Sequence, residues 1–285
     1  MNHNVFEEIT IEANGLRFAA KMWGPKDGKP LLALHGWLDN GCSFDEVAPL
    51  LGEYRFCALD MAGHGFSEHR ALGSHYYFTD YISDAIAVSH ALGWPRFNLL
   101  GHSLGANVAL MLAGTYPEKV ENLLLLEGFG PQSRSSKDGP SQLRQAIEKN
   151  LRFSARRTVT YKTFDEIVAK RMIGGTIVNE HAARILCQRA TVEVDAGWQW
   201  RSDPRLRYAS PLRMPEREVE EFISCVDAPT CLINGDHGIP LAVLGFEQRR
   251  KQHRDLKVLT LPGRHHLHLE GQSAEIAEII KSFIS

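Results

Sequence analysis

Ser103 stands in Gly101-His102-Ser103-Leu104-Gly105, a Gly-x-Ser-x-Gly pentapeptide. Such a pentapeptide arises by chance, so its setting decides what it means. Residues 97–100 read as a strand running into it, and residues 104–114, rich in Ala and Leu, read as a helix leaving it. A serine at the apex of a strand–turn–helix is a nucleophile elbow, which pushes the hydroxyl into the cleft at the sheet edge. The turn is so tight that a Cβ at Gly101 or Gly105 is expected to collide with the neighbouring strand or helix. The serine backbone is expected to be strained. The alternative role for a serine at this point is to cap the helix that begins at Leu104. Chemistry needs more than the hydroxyl: a base to take its proton, and donors for the oxyanion formed when it attacks a carbonyl.

The elements around Ser103 read as βα units. Residues 7–11 and 16–23, with Ala-Asn-Gly at 13–15 between them, suit an opening hairpin. Short apolar runs at 31–34, 56–59, 97–100, 120–126, 230–233 and 257–261 read as strands. Helical patterns cover about 76–92, which Gly93 and Pro95 stop, then 104–114 and about 272–280. Strands apolar on both faces fit a mostly parallel sheet covered on each side. The alternation fails between residues 131 and 214, where helices at 141–150, 164–172 and 179–191 are joined by polar linkers. This division predicts a core from 1–130 and 215–285 and a helical lid from 131–214, lying over the carboxyl edge where ligands bind in open α/β sheets.

Composition excludes several classes. The chain has 285 residues, 44% apolar and 23% charged, with a formal charge of −2. No global basic or acidic excess points to nucleic acid, and no apolar stretch approaches the ~20 residues that span a bilayer. The first residues carry neither a basic nor an apolar leader signature, so a cytoplasmic protein is expected. The five cysteines form no Cys-x-x-Cys pair and read as small apolar residues kept reduced. Charge is unevenly spread: residues 130–214 hold 16 Lys and Arg against 8 Asp and Glu, a net of +8 that leaves −10 for the rest. A basic lid could attract an anionic substrate; solvated helix faces scattered around the insertion are the preferred explanation. Trp198, Trp200 and Tyr208 could line an acyl tunnel or pack the lid on the core.

Four motifs in order carry a family resemblance over nearly the whole chain. They are Leu34-His35-Gly36-Trp37, Asp60-Met61-Ala62-Gly63-His64-Gly65-Phe66-Ser67, the Ser103 pentapeptide, and Pro262-Gly263-Arg264-His265-His266-Leu267-His268-Leu269-Glu270. Together they resemble the α/β-hydrolase superfamily, which implies an eight-stranded, mostly parallel sheet with helices on both faces. The family's order is nucleophile, acid, base, so the base falls among His265, His266 and His268. Matching the terminal His-Leu-Glu to the family's Gly-His-x-x-His-Leu-Glu selects His265. The oxyanion donors implied are the backbone N–H groups of Trp37 and Leu104. His35, Trp37 and His102 belong to the same motifs and form the expected substrate-binding set, the histidines chiefly as supports of loop geometry.

The acid departs from the pattern. Most relatives place an aspartate after the strand at 230–233, where this chain has Gly238, which has no side chain to orient a base. Asp236 lies two residues early. A second location known in the superfamily, after the strand that follows the nucleophile helix, falls on Glu127. A carboxylate directly after Leu123-Leu124-Leu125-Leu126 is costly to bury without a partner, and an imidazole that gains charge during catalysis is one. Glu127 is therefore preferred over Asp236, and the chain resembles the serine hydrolase-like group. The implied activity is hydrolysis of a small or medium-sized apolar carboxylic ester through an acyl-enzyme. A serine nucleophile disfavours dehalogenase and epoxide-hydrolase chemistry. Haloperoxidase-like, C–C hydrolase or lyase chemistry, and a binding protein that keeps the fold, are the alternatives. No metal or organic cofactor is required. Zinc at the histidine cluster would lack an evident carboxylate or thiol companion. The expected partner is a small-molecule substrate, with no nucleic acid and no stable membrane insertion; oligomeric state is left open.

Overall fold

The computed structural model describes residues 6–154, 159–241 and 245–284. In chain order the elements are β1 (Glu7–Ala13), β2 (Leu16–Trp23), β3 (Lys29–Leu34), β4 (Tyr54–Leu59), α1 (Phe78–Ala91), β5 (Phe97–His102), α2 (Leu104–Thr115) and β6 (Val120–Leu126). There follow α3 (Gly139–Ser154), α4 (Phe164–Ile173), α5 (Glu180–Ala190), β7 (Thr191–Val194), β8 (Gly197–Trp200), α6 (Glu216–Ser224), β9 (Thr230–Gly235), α7 (Phe246–Arg249), β10 (Leu256–Leu261) and α8 (Ser273–Phe283).

Eight strands form one sheet in the order β1-β2-β4-β3-β5-β6-β9-β10. The pairs β1–β2 and β2–β4 are antiparallel and the others parallel. The pleat sends successive side chains to opposite faces. Leu32, Leu99, Leu123 and Leu125 join the core beneath α1 and α2. Leu31, Leu100, Leu124 and Leu126 join the core beneath α8. Burial on both faces is why β6 is an unbroken leucine run and not an alternating one. From β3 the chain moves one way to β4, then returns to β5 on the other side. The loops after β3 and β5 thus diverge at the topological switch point, where open α/β sheets bind ligands. Trp37 is on the first of these loops and Ser103 on the second.

The segment between β6 and α6 differs from the all-helical expectation. Its three helices are present, but α5 ends at Ala190 and the chain turns into the β7–β8 hairpin, Thr191 pairing with Trp200 and Val194 with Gly197. The β-branched Thr191-Val192 and Val194 alternate with polar residues before a tight Asp195-Ala196-Gly197 turn. That is a strand signal, and it is lost when the preceding helical pattern is extended by one residue. The segment has its own core, in which Val168, Val178, Ala182, Leu186 and Cys187 are buried. Ion pairs tie it to the sheet: the buried pairs Arg171–Asp39 and Arg189–Asp60, and the partly exposed pair Arg189–Glu8. Cys42, Cys57, Cys187 and Cys231 are buried and unbridged, and Cys225 is exposed. No described helix is long and apolar enough to cross a membrane.

Candidate active site

Ser103 joins β5 to α2 with φ 53° and ψ −111°, a conformation that L-residues rarely adopt. The flanking glycines make this turn possible. A Cβ on Gly101 would lie 2.4 Å from the Gly105 carbonyl oxygen, and one on Gly105 would lie 1.9 Å from that of Leu34. The Ser103 side chain makes no capping bond to α2, so the hydroxyl is not used as a helix cap. Two cavities open beside it, of about 630 Å³ and about 980 Å³. Ser103 and His265 both line the smaller one, and Ser103 and Glu127 both line the larger.

Glu127 also has positive φ, 57°, and is 2% exposed. Its amide continues the sheet by donating to Ile233 O at 3.0 Å. Its carboxylate accepts from Gly235 N (2.6 Å) and Ile239 N (2.8 Å), and Oε2 lies 3.0 Å from His265 Nδ1. These donors satisfy a carboxylate that would otherwise be expensive to bury. A Cβ built on Gly238 would lie 2.0 Å from Glu127 Oε1 and 2.4 Å from Oε2. The Glu127 carboxylate thus fills the space where a side chain at the usual acid position would begin. Asp236 does other work: it is exposed, and its Oδ1 accepts from Gly263 N at 2.8 Å.

The residues assigned to substrate binding separate into two kinds. Trp37 lines both cavities, is 46% exposed, and its Nε1 donates to Leu206 O at 3.0 Å. His35 and His102 are fully buried and line neither cavity, so they cannot touch a ligand there. His35 instead bridges two loops, with Nδ1 2.8 Å from Gly36 O and Nε2 accepting from Met61 N at 3.0 Å. His102 Nε2 lies 2.9 Å from His265 O, which fixes the backbone of the predicted base. Burial holds His35 below the usual histidine range, and burial with His268, His265 and His266 nearby holds His102 well below it. No hydrogen bond from the Trp37 or Leu104 amide is found among the described residues. Leu104 opens α2, where the first N–H groups have no intrahelical acceptor. Of the tunnel candidates, Trp200 lines the smaller cavity and Tyr208 the larger, while Trp198 packs edge-on against Phe164 at 5.0 Å.

One polar cluster was not legible in advance. Asp39 is 3% exposed, and its Oδ2 lies 3.0 Å from His266 Nε2 and 3.8 Å from His102 Nδ1. Asp39 is a carboxylate companion to the histidines, and Asp39, His102 and His266 offer ligand atoms within 4.8 Å of one another. A cation already faces it, because Arg171 Nη2 donates to Asp39 Oδ1 at 2.7 Å. Burial alone would raise the Asp39 carboxyl; the charges of His266 and Arg171 hold it well below the usual range. His268 is buried against Ser43 Oγ at 2.9 Å, away from both cavities. The only sign of Asp39 in the sequence was its place four residues after His35 on the β3 loop.

Residues 29–272 match the model of the α/β-hydrolase fold family. The chain is 33% identical to a serine hydrolase-like protein of Dictyostelium discoideum over 96% of this chain and 81% of that one. It is 31% identical to serine hydrolase-like protein 2 of Homo sapiens over 98% of this chain and 94% of that one. Among solved structures, a hypothetical protein of Pseudomonas aeruginosa superposes with a TM-score of 0.92 at 39% identity, covering 97% of this chain and 99% of that one. The thioesterase domain from the curacin biosynthetic pathway superposes with a TM-score of 0.84 at 26% identity, covering 98% of this chain and 100% of that one. With its sheet order, its strained serine turn and these matches along nearly its full length, the chain belongs to the α/β-hydrolase family, in the serine hydrolase-like group.

Proposed function

We propose that this protein is a serine hydrolase that cleaves carboxylic esters or thioesters through an acyl-enzyme, with Ser103, His265 and Glu127 as its triad. The observation that carries this reading is the Glu127 carboxylate, held by two backbone amides and directed onto His265 Nδ1. A buried carboxylate on one imidazole nitrogen fixes the tautomer, leaving the other nitrogen free to accept a proton. In the first half-reaction the Ser103 hydroxyl adds to the carbonyl carbon as its proton passes to His265 Nε2. The carbonyl electrons move onto oxygen, which the amides of Trp37 and Leu104 receive. Collapse of that adduct breaks the bond to the alcohol or thiol, which leaves with the proton from His265. Water then repeats the sequence on the acyl-serine, with His265 as base, and releases the acid.

The curacin-pathway thioesterase domain supports an acyl substrate by its likeness over the whole chain. The test is covalent. A fluorophosphonate is expected to label the folded protein at Ser103, and Ser103→Ala is expected to abolish both labelling and turnover of p-nitrophenyl esters. A folded wild-type protein that resists the reagent would instead indicate a binding protein that keeps the fold.

A further inference from the structure

Among the described residues three line both cavities: Trp37, Ser103 and Arg207. The first two belong to the proposed site, whereas Arg207 comes from the insertion and has no evident structural task. The other deeply placed arginines of that segment have carboxylate partners, Arg171 with Asp39, Arg189 with Asp60 and Arg205 with Asp203. Arg207 is half-buried, and among the described residues its side chain makes no salt bridge and no hydrogen bond. Burial pulls its pKa below the usual arginine value, with only the Tyr161 hydroxyl acting the other way. An arginine nevertheless stays charged at neutral pH, and a half-buried guanidinium without a partner is an unmet demand for an anion.

Its position is fixed. Arg207 ends the short helical turn Pro204–Arg207, which Asp203 caps by accepting from Arg205 N. The preceding Leu206 is buried, and its carbonyl receives the Trp37 indole N–H. Arg207 therefore stands where the two cavities meet beside Ser103, on a segment held to the wall of the site. Its surroundings reinforce the charge. Lys149, Lys170 and Arg213 also line the cavities. Of the acidic wall residues, Asp39 is engaged by Arg171 and Glu127 by backbone amides and His265, while Glu218 lines the larger cavity at an exposed position.

We infer that Arg207 binds an anionic group of the substrate, a carboxylate or a phosphate, beside the bond that Ser103 attacks. This inference rests on the serine-hydrolase reading and replaces the expected wholly apolar ester with one that carries a negative charge near its reacting carbonyl. The planar guanidinium presents two parallel N–H groups, which match the two oxygens of either anion.

Matched ester pairs test it. For the acyl side, p-nitrophenyl hemisuccinate is compared with its neutral methyl ester. For the leaving-group side, 4-acetoxybenzoate is compared with its methyl ester, and 4-acetoxyphenyl phosphate with phenyl acetate. Wild type is expected to favour at least one anionic member tenfold or more in kcat/KM, which also identifies the side and the anion. Arg207→Gln is expected to reduce that ratio at least tenfold, Arg207→Lys to give an intermediate value, and Arg213→Gln on the exposed rim to change it less than threefold. No anionic preference in wild type would overturn the inference. So would a ratio unchanged in Arg207→Gln, or an equal loss in Arg213→Gln, which would indicate a diffuse field. Fluorophosphonate labelling of Ser103 in each variant separates the two failures. Labelling without charge preference removes the role of Arg207 alone, whereas absence of labelling in wild type removes the hydrolase reading and this inference with it.

Discussion

Positive φ values at Ser103 and Glu127, 53° and 57°, put two non-glycine residues of the site into conformations that cost of order 1–3 kcal/mol each. The surrounding backbone enforces both, and the closest approaches are at glycines. A Cβ on Gly105 has the Leu34 carbonyl oxygen 1.9 Å away, and backbone cannot move aside as a flexible side chain can. Gly105→Ala is therefore expected to lower stability by at least about 3 kcal/mol, read as the shift in a urea unfolding midpoint; an unchanged midpoint would mean that the elbow is looser than described. Ser103 was legible in the sequence because these steric demands select glycine on either side of it. Glu127 was legible because a carboxylate closing a leucine run needs a partner. His35 and His102 were legible as supports of loop geometry, but their exclusion from the cavities was not, since a motif histidine reads the same whether it faces a cavity or is sealed behind one. Asp39 was invisible for a related reason: its partners His266 and Arg171 lie 227 and 132 residues away.

At the scale of elements, the parallel strands were readable from their apolar runs, and their observed ends differ by a residue or two, as frayed boundaries do. The β7–β8 hairpin was missed because a helical period that ends at Ala190 passes without a glycine or proline into β-branched alternation. How the insertion sits on the sheet was beyond the sequence, since it depends on pairings between distant charges. Arg171 of α4 and Asp39 of the β3 loop are both buried, with side chains 10% and 2% exposed. Removing one member of such a pair leaves an uncompensated charge and costs about 3–5 kcal/mol. Arg171→Met is expected to fall in that range by urea denaturation. The double variant Arg171→Met/Asp39→Asn is expected to lose less than the two single losses added together, because neither then strands the other. Strict additivity would show that the pair does not couple the insertion to the core.

The whole molecule carries an unusual set of buried histidines. Burial, with His35 beside it, pushes His64 down to about 3, and burial pushes His253 down to about 4. His102 and His268 are held well below the ordinary value by burial and by the neighbouring histidines, and His35 is lowered by burial. In the unfolded chain each would take up a proton near pH 6.5. Between that pH and the folded value the unfolded state binds more protons, so stability rises with pH there and falls on acidification. The expected outcome is a protein at full stability above pH 7 that loses up to about 1.4 kcal/mol per pH unit for each such histidine below 6.5. Urea melts at pH 7.5 and 5.5 measure this, and equal midpoints would contradict it. In the proposed triad Glu127 does the work of an acid whose usual position is Gly238, and the Glu127 carboxylate lies where a side chain there would begin. Moving the acid back tests this most directly, through kcat for a p-nitrophenyl ester. Glu127→Gly, which keeps the positive φ, is expected to reduce kcat by about 10³–10⁴ while folding is retained. Adding Gly238→Asp to that variant is expected to restore at least tenfold, and the same change in wild type, where Glu127 fills the space, to impair the enzyme. A Glu127→Gly variant with wild-type kcat would contradict the triad.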